Sequence, residues 1–259
     1  MTVDDFPRVA SRGVHLQVLD QVDSTNRHLT RTPGPATAWS VVISDNQTSG
    51  RGRADRRWTT LPGRGLAVSV QLPDTVAPHP THHGWPGWLS LIVGTAVADA
   101  IAKVGAAQVS VKWPNDVHID GKKIAGILGE ITPDSRVVVG LGVNLFYETH
   151  ELPTPESTSL SLHASLPPDI ADRLVSDVLE TLMRVMPQVV GAVPGDIRDW
   201  VESRLSTLNK TVRVSTPRGE TLVGVASGLA GDGALLVRPH GATSEVPVSV
   251  GDIEHLRHE

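Results

Sequence analysis

The most constraining feature of this chain is residues 112–128, where two strand signals flank a two-residue turn. Pro114 interrupts the first strand because proline has no N–H to donate to a sheet. Asp120 and Gly121 then favour a type I′ hairpin turn, whose two central residues need positive φ. The sequence therefore predicts a β-hairpin that pairs Ile119 with Lys122 and His118 with Lys123.

This hairpin brings charged side chains to one face, since side chains alternate along a strand. Asp116, His118 and Lys123 share that face, and Asp116 and Lys123 become diagonal cross-strand neighbours. A cation and a carboxylate beside a wall of small residues indicate an anionic ligand accompanied by a metal ion. An ordinary surface hairpin is the alternative, and these residues alone do not decide between the two.

A second segment, residues 47–58 (QTSGRGRADRRW), is rich in glycine and arginine. Glycine lets the backbone approach a ligand closely, and arginine forks pair with the oxygens of phosphates or carboxylates. A solvated linker and a nucleic-acid contact are the alternatives for a basic glycine-rich loop. Because residues 46–63 are so polar, we predict that this loop is mobile in the empty protein.

The remaining pattern predicts an α+β protein with a mixed β-sheet flanked by helices. Helical periodicity covers residues 88–104, 169–186 and 196–208, and strand signals cover residues 15–19, 39–44, 65–72, 123–132 and 136–146. Beyond Leu208 the pattern changes to short strands separated by proline and glycine turns, which indicates a small C-terminal β-barrel. We therefore expect two domains, residues 1–208 and residues 209–259.

Two segments give no strong structural signal. Residues 1–13 carry charges without an apolar core, so we expect a poorly ordered tail and no signal peptide. Residues 148–168 resemble a linker.

Composition excludes several classes of function. The 259 residues are 39% hydrophobic, enough for a proper core, and the net charge of −5 argues against a general nucleic-acid binder. The absence of cysteine excludes disulfides, thiolate catalysis and cysteine-bound metals. No apolar run is long enough to span a membrane. We therefore expect a cytoplasmic protein without a membrane partner. We also expect His79, His82 and His83, which lie in a proline-rich loop, to be exposed polar residues rather than metal ligands.

The two charged stretches together resemble the biotin protein ligases. That family carries a GRGRxGRxW loop, then KWPND, then a K(L/I)(A/C)GIL strand, which match residues 50–58, 112–116 and 123–128 here. Further matches occur in the family's order at residues 23–26 (DSTN), Gln47 and residues 140–144 (GLGVN). The resemblance runs from about His15 to Arg257, nearly the whole chain.

The resemblance implies a fold and an activity. The fold is the class II synthetase-like catalytic fold of biotin and lipoate ligases, followed by an SH3-like β-barrel. The activity is activation of biotin with ATP, giving biotinyl-5′-AMP and pyrophosphate. Biotin then passes to a lysine of a biotin carboxyl carrier domain, which is the expected protein partner, and Mg²⁺ is the expected cofactor.

The resemblance also implies roles for individual residues. Those expected in catalysis are Lys123, Arg53 and Asp116, with Asp116 also a candidate Mg²⁺ ligand. Those expected to bind biotin are Ser24, Thr25, Asn26, Gln47, Gly50, Arg51, Arg53 and Lys123. Those expected to bind ATP are Arg51, Arg53, Trp58, Lys112, Asn115, Asp116 and Asn144.

Charge requirements give the expected mechanism. Two anions, the biotin carboxylate and the α-phosphate, must meet, so cations have to surround them. The chain has no cysteine and no serine–histidine–acid spacing, so we expect positioning and electrostatics rather than a covalent enzyme intermediate. Gly140 and Gly142 weaken a strand unless something approaches it closely, and we expect a nucleotide there. We expect biotin or the adenylate to order the arginine-rich loop, with Trp58 covering the bound anhydride.

Asp55 departs from the family pattern, which has a third glycine at this point of the loop. Its carboxylate and Cβ enter a turn that binds phosphate, which should weaken the grip on the adenylate. We predict that biotinyl-AMP dissociates faster from this protein than from an Asp55→Gly variant. Equal dissociation rates, measured by rapid dilution of the preformed adenylate complex, would contradict this.

A second departure concerns regulation. Some family members begin with a helix-turn-helix repressor domain, whereas this chain enters its first catalytic strand by about residue 15. We therefore expect no repressor domain and no binding to DNA.

Two other functions stay open at this point. Lipoate ligases and octanoyl transferases share the fold, but their arginine followed by a glycine run and a histidine is absent here. The other alternative is a sensor that binds biotin or nucleotide without catalysis, an idea that rests on Asp55 alone.

Overall fold

The computed structural model describes residues 1–54, 56–76, 85–189, 192–215, 221–249 and 252–255. Asp55 and the three histidines of the proline-rich loop, His79, His82 and His83, lie outside the described residues.

The larger part of the chain folds around a seven-stranded sheet. Its strands are β1 His15–Val18, β2 Ser40–Ser44, β3 Gly65–Gln71, β4 Val109–Lys112, β5 Asp116–Ile119, β6 Lys122–Ile131 and β7 Val137–Asn144. The strand order is β1-β2-β3-β7-β6-β5-β4. The β1–β2 pair is parallel and the other pairs are antiparallel, which confirms the predicted mixed sheet.

Helices cover both faces of this sheet. They are α1 Pro7–Ala10, α2 Thr25–Arg31, α3 Trp85–Lys103, α4 Ile170–Val185 and α5 Gly195–Arg204. The long α3 packs on β4, β5 and β6 and against α4, which builds the main core. The short α2 instead packs on β2, β3 and β7, and its first residues border the cavity described below. None of the helices in the described ranges is long and apolar enough to cross a bilayer.

The N-terminal segment belongs to the core, so the prediction of a poorly ordered tail is wrong. Phe6 and Val9 are buried, and α1 packs on α4. The backbone N–H groups of Arg8 and Val9 donate to the buried carboxylate of Asp172 at 3.1 and 3.0 Å. The apolar residues of this charged segment are too scattered to give a periodic signal, and the partner carboxylate lies far along the chain.

The C-terminal region forms a separate antiparallel sheet, which confirms the predicted small β module. Its strands are β8 Thr211–Ser215, β9 Thr221–Leu229, β10 Leu235–Pro239, β11 Val246–Val248 and β12 Asp252–His255, in the order β11-β10-β9-β8-β12. Sequence analysis missed β12, whose one apolar residue, Ile253, is flanked by charged neighbours. Pairing with β8 supplies what its own sequence pattern lacks.

Two tryptophans attach the smaller sheet to the larger one. The indole N–H of Trp88 donates to the carbonyl of Gly231 at 3.0 Å, and that of Trp113 donates to the carbonyl of Gly233 at 3.2 Å. Arg198 stacks over the Trp88 ring at 5.0 Å and donates to the carbonyl of Leu229 at 2.8 Å. The turn between β9 and β10 therefore holds Trp113, which is part of the KWPND stretch.

Acid should destabilise the protein through His255 on β12. Burial, together with the charge of Lys112, lowers the pKa of His255 from 6.5 to about 4. The unfolded chain therefore takes up this proton first, and stability is lost as the pH falls from about 6.5 towards about 4. Because the ring is only half-buried, solvent screening limits the loss to about 1 kcal/mol.

A His255→Gln variant tests this expectation, because glutamine keeps polarity at the position without titrating. Its free energy of unfolding, measured with urea at neutral and mildly acid pH, should fall less on acidification than that of the unmodified protein. The same acid sensitivity in both proteins would contradict the assignment.

Candidate functional site

The predicted hairpin is present and joins Lys123 to Asp116. Strands β5 and β6 pair His118 with Lys123 and Ile119 with Lys122, as predicted, and the turn residues Asp120 and Gly121 have φ of 50° and 78°. The Lys123 Nζ lies 2.7 Å from Oδ1 of Asp116 in a close ion pair. Burial lowers the pKa of the neighbouring His118, whose Nδ1 lies 3.0 Å from the Gly121 carbonyl oxygen.

The arginine-rich loop folds back on itself over this hairpin. The Trp58 N–H donates to the Gly50 carbonyl at 3.0 Å, and Arg51 and Arg57 form an isolated antiparallel bridge. Gly50 is needed at this crossing, because a Cβ there would lie 2.2 Å from the Trp58 carbonyl oxygen. Whether the loop is mobile without ligand stays a prediction.

The two arginines assigned to the substrates contact protein groups on the sheet. The Arg51 guanidinium donates to Oε1 of Glu130 at 2.7 Å, and the Arg53 guanidinium donates to Oδ1 of Asn115 at 3.1 Å. Asn115 in turn donates to the Ile127 carbonyl at 2.9 Å. Contacts with the sheet therefore direct both cations towards the same opening.

The start of α2 forms the polar end of the site. Ser24 is the N-cap residue, and the backbone N–H of Thr25 donates to Oε1 of Gln47 at 2.9 Å. The buried Ser69 hydroxyl lies 2.7 Å from the Thr25 hydroxyl and 2.6 Å from Oδ1 of Asn26. Asn26 also donates to the Glu130 carboxylate at 2.7 Å, so both ends of its amide are occupied. Sequence reasoning missed Ser69 and Glu130 because both are distant in the chain.

An ionised carboxylate supports this helix start from outside. Burial opposes ionisation of Asp23, but hydrogen bonds from the Ser24 N–H and from Arg27, with the nearby charge of Arg31, hold its pKa below the usual range. Arg27 and Arg31 lie 3.3 and 2.9 Å from its Oδ2. Asp23 therefore fixes the loop in front of α2.

These groups surround a cavity of about 340 Å³. Most of the predicted site residues line it, namely Ser24, Thr25, Asn26, Gln47, Arg51, Arg53, Trp58, Asn115, Asp116, Lys123 and Asn144. Two predicted site residues, Gly50 and Lys112, are not among its described lining. Gly50 shapes the loop crossing, whereas Lys112 lies opposite Asp116 on β4, where its charge lowers the pKa values of His118 and His255.

Gly140 and Gly142 of β7 face protein side chains and not open space. A Cβ on Gly140 would lie 2.3 Å from Oδ1 of Asn26, and one on Gly142 would lie 2.2 Å from the Trp58 ring. Lys123 approaches the same indole at 5.7 Å. Asn26 and Trp58 lie nearest to these glycines, and the approach of a nucleotide to the same wall stays a prediction.

Residues 153–158 complete the cavity, although sequence analysis treated them as part of a linker. Pro153, Thr154 and Ser157 line it, and Ser157 forms a parallel bridge with Lys123. The Lys123 N–H donates to the Glu156 carbonyl at 2.8 Å. Pairing through the backbone cannot be predicted from residue type, because every non-proline residue has the same backbone polar groups.

The donor set fits a magnesium ion that arrives with its own phosphate ligands. Within the described ranges no cluster of three histidine or acidic residues could hold a metal. Asp116 is the carboxylate among the described cavity-lining residues, and its Oδ1 already contacts Lys123. Mg²⁺ commonly uses one or two carboxylates plus substrate phosphates, so a single aspartate suffices for such an ion but not for a dedicated protein site.

The fold and this site define a ligase class. Residues 18–144 match the model of the Biotin/lipoate A/B protein ligase family, and residues 207–256 match the model of the Biotin protein ligase C terminal domain. The chain is 36% identical over 247 residues to the biotin--[acetyl-CoA-carboxylase] ligase of Mycobacterium tuberculosis, with 93% of this chain and 89% of that protein covered. The chain therefore belongs to the biotin protein ligase family.

Other relatives agree with this assignment. The biotin--[acetyl-CoA-carboxylase] ligase of Paracoccus denitrificans is 29% identical over 247 residues, covering 90% of this chain and 98% of that protein. The solved structure of the Aquifex aeolicus biotin protein ligase in complex with biotin and ATP superposes with a TM-score of 0.75, covering 93% of this chain and 99% of the other. At 24% identity, that likeness shows a shared fold.

Proposed function

We propose that this biotin protein ligase activates biotin with ATP and then transfers biotin to a lysine of a biotin carboxyl carrier domain. The observation that carries the proposal is the convergence of Lys123, Arg51 and Arg53 on one cavity whose polar end is built by Ser24 and Gln47. In the first step a biotin carboxylate oxygen attacks the α-phosphorus of ATP. The bond from that phosphorus to the bridging oxygen breaks, and pyrophosphate leaves.

The cations at the cavity wall make this meeting of two anions feasible. We assign Lys123, Arg51 and Arg53 to the biotin carboxylate and the α-phosphate, where negative charge concentrates in the transition state. A positively charged, pre-arranged wall stabilises that charge without having to reorganise during the reaction. Arg51 contacts Glu130 and Arg53 contacts Asn115, so both are held close to where they are needed.

The polar end of the cavity suits the ureido ring of biotin. Ser24, Thr25 and Gln47 offer hydroxyl and amide groups at the start of α2, and we assign them to the ring's N–H and carbonyl groups. Asn26 and Gly50 were predicted to contact biotin, but their contacts with other protein groups support a role in shaping the wall. On the nucleotide side we assign Trp58, Asn115, Asp116 and Asn144; Lys112 stays a prediction for this role.

The transfer step needs a group that takes a proton from the attacking lysine. Asp116 is our candidate, because it is the carboxylate among the described residues of the cavity wall. Its contact with Lys123 at 2.7 Å orients it. The same carboxylate would be the protein ligand of Mg²⁺, which when bound neutralises phosphate charge.

Three broader features belong to the same proposal. We place the protein in the cytoplasm, where the carboxylase partner would be found. We place the domain boundary after Leu208, an assignment supported by the C-terminal family model, which begins at residue 207, and by the start of β8 at Thr211. We also propose a biotin-dependent carboxylase as the source of the acceptor domain.

A transfer assay tests the proposal. The purified protein is incubated with ATP, Mg²⁺ and a biotin carboxyl carrier domain, and biotin is compared with lipoate and octanoate. We expect avidin-detectable label on the carrier with biotin alone. Lipoyl or octanoyl transfer would assign the protein to the neighbouring acyltransferases, and biotin binding without transfer would indicate a sensor and make Asp55 the first residue to change.

A further inference from the structure

A hydroxyl, an imidazole and a carboxylate lie in a row beside Lys123. The Thr158 hydroxyl lies 2.7 Å from Nε2 of His163, and Nδ1 of His163 lies 3.6 Å from Oδ2 of Asp120 in the hairpin turn. Thr158 is buried, with 3% of its surface exposed. An imidazole that directs its Nδ1–H at Asp120 leaves Nε2 free to accept the hydroxyl hydrogen of Thr158.

The backbone of Thr158 connects the two strands that carry proposed active-site residues. Its N–H donates to the Lys123 carbonyl on β6 at 2.8 Å, and its carbonyl accepts from the Asn144 side chain at the end of β7 at 2.9 Å. The Lys123 N–H donates to the Glu156 carbonyl at 2.8 Å. Both backbone polar groups of Lys123 are therefore bound by this segment.

The arrangement resembles the triad of a hydrolase, but its placement argues against a nucleophile. Thr158 is not among the described residues that line the cavity, whereas its neighbour Ser157 is. Its hydroxyl also faces the imidazole rather than open space. The hydrogen bond between His163 and Thr158 therefore serves to hold Thr158 in place.

We propose that His163, oriented by Asp120, is a positioning residue that holds the Thr158 side chain. The backbone of Thr158 in turn holds Lys123 and Asn144. This inference rests on the proposed function of Lys123. A lysine side chain has four rotatable bonds, so the point from which it extends must be fixed for its ammonium to meet two anions. A displacement of about 1 Å at a reacting group can cost about a hundredfold in rate.

Paired substitutions separate the hydroxyl from the packing. Thr158→Val keeps the shape and removes the hydroxyl, and we expect it to lower the rate constant of adenylation about tenfold while the Kd for biotin changes less than about twofold. Thr158→Ser keeps the hydroxyl and should retain nearly the full rate. His163→Ala should behave like Thr158→Val, and His163→Gln, which can place a polar group near the Nε2 position, should recover part of the rate.

Two further variants, one of Asp120 and one a control, show how far the rate depends on this row of side chains. Asp120→Asn keeps a residue that tolerates the turn's positive φ and removes the charge; because Asp120 is about half exposed, we expect a loss of only about two- to threefold. His150→Ala is the control, since His150 also faces a carboxylate but lies exposed beside Glu148. It should leave the rate unchanged.

A double substitution tests whether the two groups act as one unit. His163→Ala combined with Thr158→Val should be no slower than Thr158→Val alone, because each change breaks the same contact. Equal rates for Thr158→Val and Thr158→Ser, or multiplicative losses in the double variant, would overturn the inference. If Thr158→Val fails to fold, the His163→Ala and His163→Gln pair, compared at matched Tm, decides the question in the same way.

Failure of the proposed function gives a different result. Wild-type protein without adenylation, or Lys123→Ala with full adenylation, would remove the catalytic assignment itself. Amide hydrogen exchange at residues 122–125 then measures the positioning contact alone. Faster exchange in Thr158→Val than in Thr158→Ser would support the contact, and equal exchange would overturn it.

Discussion

Lys123→Ala should lower the rate of biotinyl-AMP formation at least tenfold and leave the protein folded. Its ammonium lies 2.7 Å from Asp116 and 5.7 Å from the Trp58 ring, on the wall of the cavity. Tenfold corresponds to about 1.4 kcal/mol of barrier, a modest part of what one well-placed charge supplies in a sheltered site. Removing it also leaves Asp116 facing the incoming phosphates without its counter-charge.

The fold should tolerate this change because the ion pair contributes little to stability. The side chains of Lys123 and Asp116 are 34% and 27% exposed, and pairs that remain in contact with solvent contribute roughly 0–1 kcal/mol. Hydrogen bonds from the Lys123 backbone, which alanine keeps, hold the strand in place. The rate should therefore fall far more than the Tm.

Lys122→Ala is the matched control. Lys122 is the adjacent lysine on the same strand, is exposed, and pairs with Ile119 in the hairpin. Lys122→Ala changes the net charge of the protein by the same amount as Lys123→Ala. It should nevertheless leave adenylation near the wild-type rate. Pyrophosphate release measured at saturating biotin and ATP distinguishes the two variants, and a wild-type rate for Lys123→Ala would remove this residue from the mechanism.

Local sequence chemistry explains why the centre of the site was predictable. The Asp120-Gly121 turn determines that Ile119 pairs with Lys122 and His118 with Lys123. The register shifts between Val117 and His118, and Asp116 still contacts Lys123 beyond that shift. Short-range rules of this kind need no knowledge of the rest of the fold. The resemblance to the ligase family added Ser24, Gln47 and the arginines, which the structure places on the same cavity.

Contacts between distant segments explain what sequence analysis missed. Ser69 bonds to Thr25 and Asn26, and Glu130 bonds to Arg51, but nothing in the residues of β3 or β6 indicates those partners. The segment around Thr158 pairs through its backbone, which has the same polar groups at every non-proline residue. Residue type predicts the face of a strand and the type of a turn, whereas the pairing of remote segments depends on the assembled core.

The glycines of β7 show the same limit, and they yield the second large prediction. Sequence reasoning correctly expected a close approach at Gly142, but the structure places the Trp58 indole there. Gly142 pairs with Gly126 across the sheet, and a Cβ on Gly126 would lie 3.1 Å from the same ring. Two neighbouring glycines therefore form a flat surface on which Trp58 rests.

Gly142→Ala should weaken ATP binding about tenfold or more without unfolding the protein, because Trp58 is assigned to the nucleotide side of the cavity. The added Cβ would lie 2.2 Å from the indole, so the ring has to move by more than 1 Å, about the displacement at which site geometry fails. Trp58 is only partly buried and can move outwards, and the backbone at Gly142 does not require positive φ. The cost therefore falls on the cavity rather than on the fold, and calorimetric titration with ATP measures it.

Two further variants determine whether the effect passes through Trp58. Gly228→Ala is the matched control, because this strand glycine lies in the smaller sheet and its new Cβ would meet its nearest neighbour at an ordinary 4.0 Å. It should bind ATP normally. Trp58→Ala removes the ring, so adding Gly142→Ala to it should change the affinity by less than about twofold. A multiplicative loss in that double variant, or normal binding by Gly142→Ala alone, would mean that the glycine surface does not position Trp58 for the ligand.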